Sequence, residues 1–106
     1  MTKSNGDEYV VENELEIYYR AINLWGVNAQ LDMMIEEMSE LIFAIQKNKR
    51  NNTDETILKV CEEIADVQIM LNQLKVIYDD TLISKFRNTK MKRLVERILS
   101  CMGDKR

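Results

Sequence analysis

The chain has 106 residues and carries 15 Lys and Arg against 18 Asp and Glu, a formal net charge of −3, which is the size of one domain with an ordinary charge balance. The absence of histidine excludes Ser-His-Asp and Cys-His catalysis and His-ligated zinc or haem, leaving carboxylates, Lys, Tyr, Cys or an oxygen-held metal. No proline and only three glycines, in a composition that is 45% hydrophobic and 31% charged, point to an all-α fold rather than a sandwich or barrel.

Val11, Leu15, Tyr18, Ile22 and Trp25 recur at spacings of four and three, which predicts a first helix over residues 8–24. It should stop at Trp25-Gly26, with Gly26 as the breaker and Asn28 as the cap of the next element. Leu31, Met34, Met38, Leu41, Ile42 and Ile45 predict a second helix over residues 29–48, with that series as its core face. Asn52 followed by Glu55 reads as a capping-box start for a third helix, running to about Tyr78. Its core face is Ile57, Val60, Cys61, Ile64, Val67, Leu71 and Leu74. Asp80 or Thr81 can cap a fourth helix, although Arg87-Asn88-Thr89 interrupts its apolar pattern. No segment alternates with period two. The expectation is one domain, residues 1–106, built as a small bundle of about four helices.

Cys61 and Cys101 make no disulfide framework and are read as buried small hydrophobes, as in a reduced cytoplasmic protein. Met1 to Tyr9 is too polar for a signal peptide. The longest apolar run, Leu41 to Ile45, is far short of the roughly 20 residues of a membrane span. Charge is divided unevenly: residues 1–84 hold 7 basic and 16 acidic side chains, residues 85–106 hold 8 and 2. A basic tail often signals nucleic acid. Here it also carries an apolar stripe of Phe86, Met91, Leu94, Val95, Ile98 and Met102, so it should pack as an amphipathic helix over acidic surface of its own molecule or a partner. The acidic remainder would repel a polyanion, so no nucleic-acid partner is expected.

Two segments are alike. Ile35 to Leu41 and Cys61 to Val67 both read apolar-Glu-Glu-apolar-small-acid-apolar. At about 100° per residue, Glu36 and Glu40 share a face with Glu37 beside them, and Glu62, Asp66 and Glu63 repeat the arrangement. One reading is two solvated acidic faces, making the protein a non-enzymatic helical interaction module for a basic partner. Against it, neither cluster is read as relieved by Lys at four-residue spacing. Met33, Phe43 and Ala44, and then Ile69, Met70 and Ile77, also flank the carboxylates and imply partial burial, which a cation would have to compensate. Antiparallel helices would bring both clusters to one site. Carboxylate donors without His or thiolate favour Mg²⁺, with Mn²⁺ possible, over zinc. On the fourth helix Lys90, Arg93 and Arg97 line one side of the apolar stripe.

Glu36-Glu37-x-x-Glu40 followed by Glu63-x-x-Asp66, with Trp25-Gly26 and Gln30 before and Asn88-x-Lys90-x-x-Arg93 after, resembles the MazG-like, all-α nucleoside triphosphate pyrophosphohydrolases over residues 20–98. The resemblance implies cleavage of a nucleoside triphosphate to the monophosphate and pyrophosphate. It makes Glu37, Glu40, Glu63 and Asp66 the Mg²⁺ ligands and leaves Glu36 and Glu62 as alternatives for acting on the attacking water. Asn88, Lys90 and Arg93 would hold phosphate, and Trp25 would lie near the base. It also implies a homodimer or a dimer of dimers, with the site near the subunit interface.

Overall fold

A computed structural model describes residues 13–104 and, as backbone, residues 2–4 and 8–10. The latter form a short antiparallel hairpin, β1 (Thr2–Ser4) with β2 (Glu8–Val10). The first helix therefore does not begin at residue 8. α1 spans Glu14–Trp25, and Val11 lies outside the described residues. A cap sets the later start: Asn13 Oδ1 accepts the Glu16 N–H at 3.2 Å. Glu14 and Glu16 put negative charge in the first turn, where the helix dipole favours it. Arg20 pairs with Glu16 one turn on, at 2.6 Å.

A single residue separates α1 from α2 (Val27–Arg50). Gly26, at φ 90° and ψ 157°, holds a conformation that a side chain resists, and it donates its N–H to Ile22 O at 2.8 Å. It is the N-cap of α2 as well, so Asn28 sits inside the first turn instead of capping it. α3 (Asp54–Ile77) starts from a capping box of Thr53 and Thr56, not from Asn52, whose Oδ1 accepts from Asn48 at 3.1 Å. The buried Thr56 hydroxyl knots this turn, accepting from Asn48 Nδ2 at 3.0 Å and donating to Asn51 O at 2.8 Å. α4 runs Asp80–Asp104 without a break at Arg87, Asn88 and Thr89. Its cap is Asp79, which accepts the Leu82 N–H at 3.1 Å, in place of Asp80 or Thr81. The architecture is the all-α arrangement of four helices that composition and periodicity predict.

α2 and α3 form the central pair, and α1 packs on both, with Tyr18 accepting from Asn72 Nδ2 at 3.2 Å. Their seam is not where the apolar series points. In α2 it follows Gln30, Met34, Glu37, Leu41, Ala44 and Asn48, all buried or half-buried, at the alternating spacing of four and three that holds two helices side by side. In α3 it follows Thr56, Val60, Glu63, Val67, Met70 and Leu74. The predicted core residues Met38, Ile42, Ile45, Ile57, Ile64 and Leu71 are instead 41–56% exposed, on the side of the pair away from the carboxylates. The apolar arc is wider than one helix contact, and α3 takes only its edge. Cys61 and Cys101 are likewise exposed and free, not buried.

Among the described residues, α4 touches α3 alone, and its residues 80–103 are all exposed. The radius of gyration is 18.2 Å, against about 13 Å for a compact domain of this length. No helix among the described residues is long and apolar enough to cross a membrane.

Candidate active site

The shift of the seam toward the acidic arc decides the site. It places Glu37 of α2 and Glu63 of α3 inside the helix pair, with Asp66 one turn beyond Glu63. One carboxylate oxygen from each of Glu37, Glu63 and Asp66 lies within 4.8 Å of the others. Glu63 is 2% exposed, a depth that an ionised side chain tolerates only with compensation. It has partial compensation: its Oε1 lies 3.0 Å from Lys59 Nζ. Its Oε2, and Oε2 of Glu37, are buried with no hydrogen-bond partner among the described residues. Glu37, Glu63 and Asp66 are the described residues that could hold a metal ion.

The electrostatics agree. Glu37 is held above the ordinary carboxylate pKa, first by burial and then by repulsion from Glu40, Asp66, Glu63 and Glu36. Glu40 is raised as well, by desolvation first, then by the Glu63 and Glu36 charges. Lys59 is raised above its usual value, mainly through its hydrogen bond to Glu63 and the charge of Glu62. Glu37 and Glu40 are thus easier to protonate than free carboxylates, through burial and mutual repulsion.

Glu36, Glu40 and Glu63 also line a cavity of about 840 Å³ between α2 and α3. Phe43 and Ala44 form its apolar part, Lys47 and Lys59 add positive charge, and Asn51, Thr53 and Thr56 close its end at the α2–α3 turn. That volume lies within the range of small-molecule sites. The doubled Glu-Glu pattern is not symmetric in space: Glu36 faces the cavity, whereas Glu62 lies outside it, exposed, with Lys59 Nζ at 3.7 Å.

The remaining predicted site residues are not brought to the carboxylates within one chain. Trp25 is 63% exposed at the end of α1 and lines no part of the cavity. Asn88, Lys90, Arg93 and Arg97 are exposed on α4, and Lys90 instead borders an apolar groove with Phe86, Met91 and Leu94. Lys59 is the residue that sequence reasoning missed, and it corrects the view that neither cluster has a cation in reach. The signal was present: Lys59 stands four residues before Glu63, one helical turn away.

No family model matches the chain, and neither a curated protein nor a solved structure matches it.

Proposed function

We propose that the chain is a Mg²⁺-dependent nucleoside triphosphate pyrophosphohydrolase, MazG-like in its residues, cleaving a ribo- or deoxyribonucleoside triphosphate to the monophosphate and pyrophosphate. The observation that carries the reading is the Glu37, Glu63 and Asp66 triplet with its two orphaned, buried carboxylate oxygens. An all-oxygen donor set fits Mg²⁺, with Mn²⁺ as a substitute. Glu40, held above the ordinary carboxylate pKa by desolvation and then by the Glu63 charge, is the fourth carboxylate of that set. The ion, when bound, supplies positive charge to phosphate oxygens and makes a water more acidic.

The chain's own groups have distinct tasks. Glu36 on the cavity wall is better placed than Glu62 to orient and deprotonate the attacking water. Lys90 and Arg93 hold the β- and γ-phosphates through charge-assisted hydrogen bonds, with Asn88 assisting. Trp25 offers a face for the base. Two free, exposed cysteines suit a reducing, cytoplasmic setting. The working form is a dimer or dimer of dimers, since apolar surface this extensive marks an interface.

The test is direct. Full-length protein with Mg²⁺ and a panel of common and modified nucleoside triphosphates should release pyrophosphate and not phosphate, and Asp66→Asn should abolish the release. Silence toward every nucleotide would sink the enzymatic reading and favour the interaction module.

A further inference from the structure

Lys59 is shared between two carboxylates of its own helix. Its Nζ lies 3.0 Å from Glu63 Oε1, four residues on, and 3.7 Å from Glu62 Oε1, three residues on. The two acids have opposite surroundings: Glu63 is buried in the seam, while the Glu62 side chain is 66% exposed. The Lys59 side chain is 56% exposed on a flexible four-carbon stem, so its ammonium can leave one partner for the other by rotamer changes alone. Glu63 cannot follow it, being packed between α2 and α3. A loose cation therefore rests on a fixed carboxylate.

The same cation acts across the cavity. Lys59 lines it together with Glu40 and Glu63, and its positive charge offsets part of the repulsion felt by Glu40 on the facing helix. Among the described residues it is the one cation in ion-pair contact with the cluster. A divalent ion held by Glu63 would share that carboxylate with the ammonium. Two positive charges on one buried group repel strongly, whereas the ammonium loses little by moving to an exposed acid within reach.

We propose that Lys59 is an exchangeable counter-ion, which holds Glu63 in the metal-free protein and passes to Glu62 when a divalent ion takes Glu63. The neighbouring acids then divide the work: Glu63 serves the metal, and Glu62 is the second seat of the ammonium. The chain's own cation thereby competes with the metal and sets how tightly it binds. This rests on the metal reading of Glu37, Glu63 and Asp66, and not on the nucleotide reaction.

Calorimetric titration of full-length protein with Mg²⁺ or Mn²⁺ alone tests it. Lys59→Met should bind the ion about tenfold more tightly than wild type, once the competing charge is gone, while unfolding more readily in metal-free buffer. A side chain that only shaped the site would move both in one direction, loosening the fold and the metal together. Lys59→Arg keeps the charge and the pair, and should bind no more tightly than wild type. Lys75→Met makes the same change in net charge in the last turn of α3, beyond a Debye length, and should leave affinity within about twofold. Glu62→Gln should weaken binding about threefold, the size of an exposed ion pair, and much less in a Lys59→Met background. Equal or weaker binding by Lys59→Met, tighter binding by Lys59→Arg, or the same effect of Glu62→Gln in both backgrounds overturns the exchange and leaves the metal site standing. Failure of wild type and Lys59→Met alike to bind either ion overturns both.

Discussion

Lys59 Nζ lies 3.0 Å from Oε1 of Glu63, while the other oxygen of that same carboxylate is buried with no partner. One half of the group is satisfied from its own helix, and the other half is left for something the chain does not supply. Lys59→Met should therefore destabilise the free protein by about 1–2 kcal/mol, the cost of stranding a hydrogen-bonded buried acceptor beside a half-exposed donor. Saturating Mg²⁺ should shrink that deficit. Thermal unfolding with and without Mg²⁺ measures both, and a variant as stable as wild type in metal-free buffer would remove Lys59 from the account.

Metal should raise the melting temperature. An ion that binds only the folded state at a hundred times its Kd adds about 2.7 kcal/mol. Glu40→Gln and Asp66→Asn should lose that rise while folding normally without metal, or slightly more stably, because each removes a repelling charge. A full Mg²⁺ response in both variants would show the ion to be elsewhere.

The raised pKa values of Glu37 and Glu40 have a defined sign. Each group is easier to protonate folded than unfolded, so its favourable contribution is complete below the ordinary carboxylate pKa of 4.5 and is lost as pH rises through the raised folded value. Metal-free protein should then lose stability in that window with increasing pH, and Glu37→Gln should flatten the loss. Mg²⁺ affinity should run the opposite way, weakening as the same acids take up protons. Denaturant titrations across pH 4 to 7 check the slope, and a metal-free protein that grows more stable over that window contradicts the repulsion.

Lys90→Ala and Arg93→Ala should weaken triphosphate binding by about tenfold or more each, since a charge-assisted hydrogen bond contributes about 1.5–3 kcal/mol. Monophosphate binding should change far less. Calorimetry with both nucleotides distinguishes this from a general loss of positive charge, which would weaken both alike.

Gly26→Ala should cost about 1–3 kcal/mol, because φ 90° with ψ 157° is open to glycine alone. The added Cβ meets nothing within 4 Å, so the penalty is backbone strain and not collision. Urea unfolding gives the number, and a neutral substitution would show that the backbone there relaxes freely.

Helix number, order and type were legible in the sequence because three- and four-residue apolar spacings and the scarcity of breakers all agree. Ends were less so. Asn28, Asn52, Asp80 and Thr81 are each plausible caps by residue type, yet Gly26, Thr53 and Asp79 take the role, because a cap is chosen by backbone geometry among several neighbouring candidates. The contact face was misjudged for a different reason. Leu31 to Ile45 mark an arc broad enough for more than one neighbour, and nothing in a single sequence says which edge α3 will meet. The carboxylate cluster was legible as a pattern, since i and i+3 carboxylates share a helix face. Partial burial was legible from their apolar neighbours, but that Glu37 and Glu63 are the two drawn inside was not, because it follows from the seam. Neither was the distance of α4 from the cavity, which depends on tertiary placement and not on periodicity.

Gly26 also limits how the chain can change in length. With one residue serving as the end of α1 and the start of α2, the joint has no slack to absorb an extra amino acid. An insertion that extended α1 there would turn the helix by about 100° relative to α2, carrying Tyr18 away from Asn72 on α3. The three residues between α2 and α3 are also knotted through the Thr56 hydroxyl. Length variation in this chain is thus not expected at the two joints that set the helices around Glu37 and Glu63.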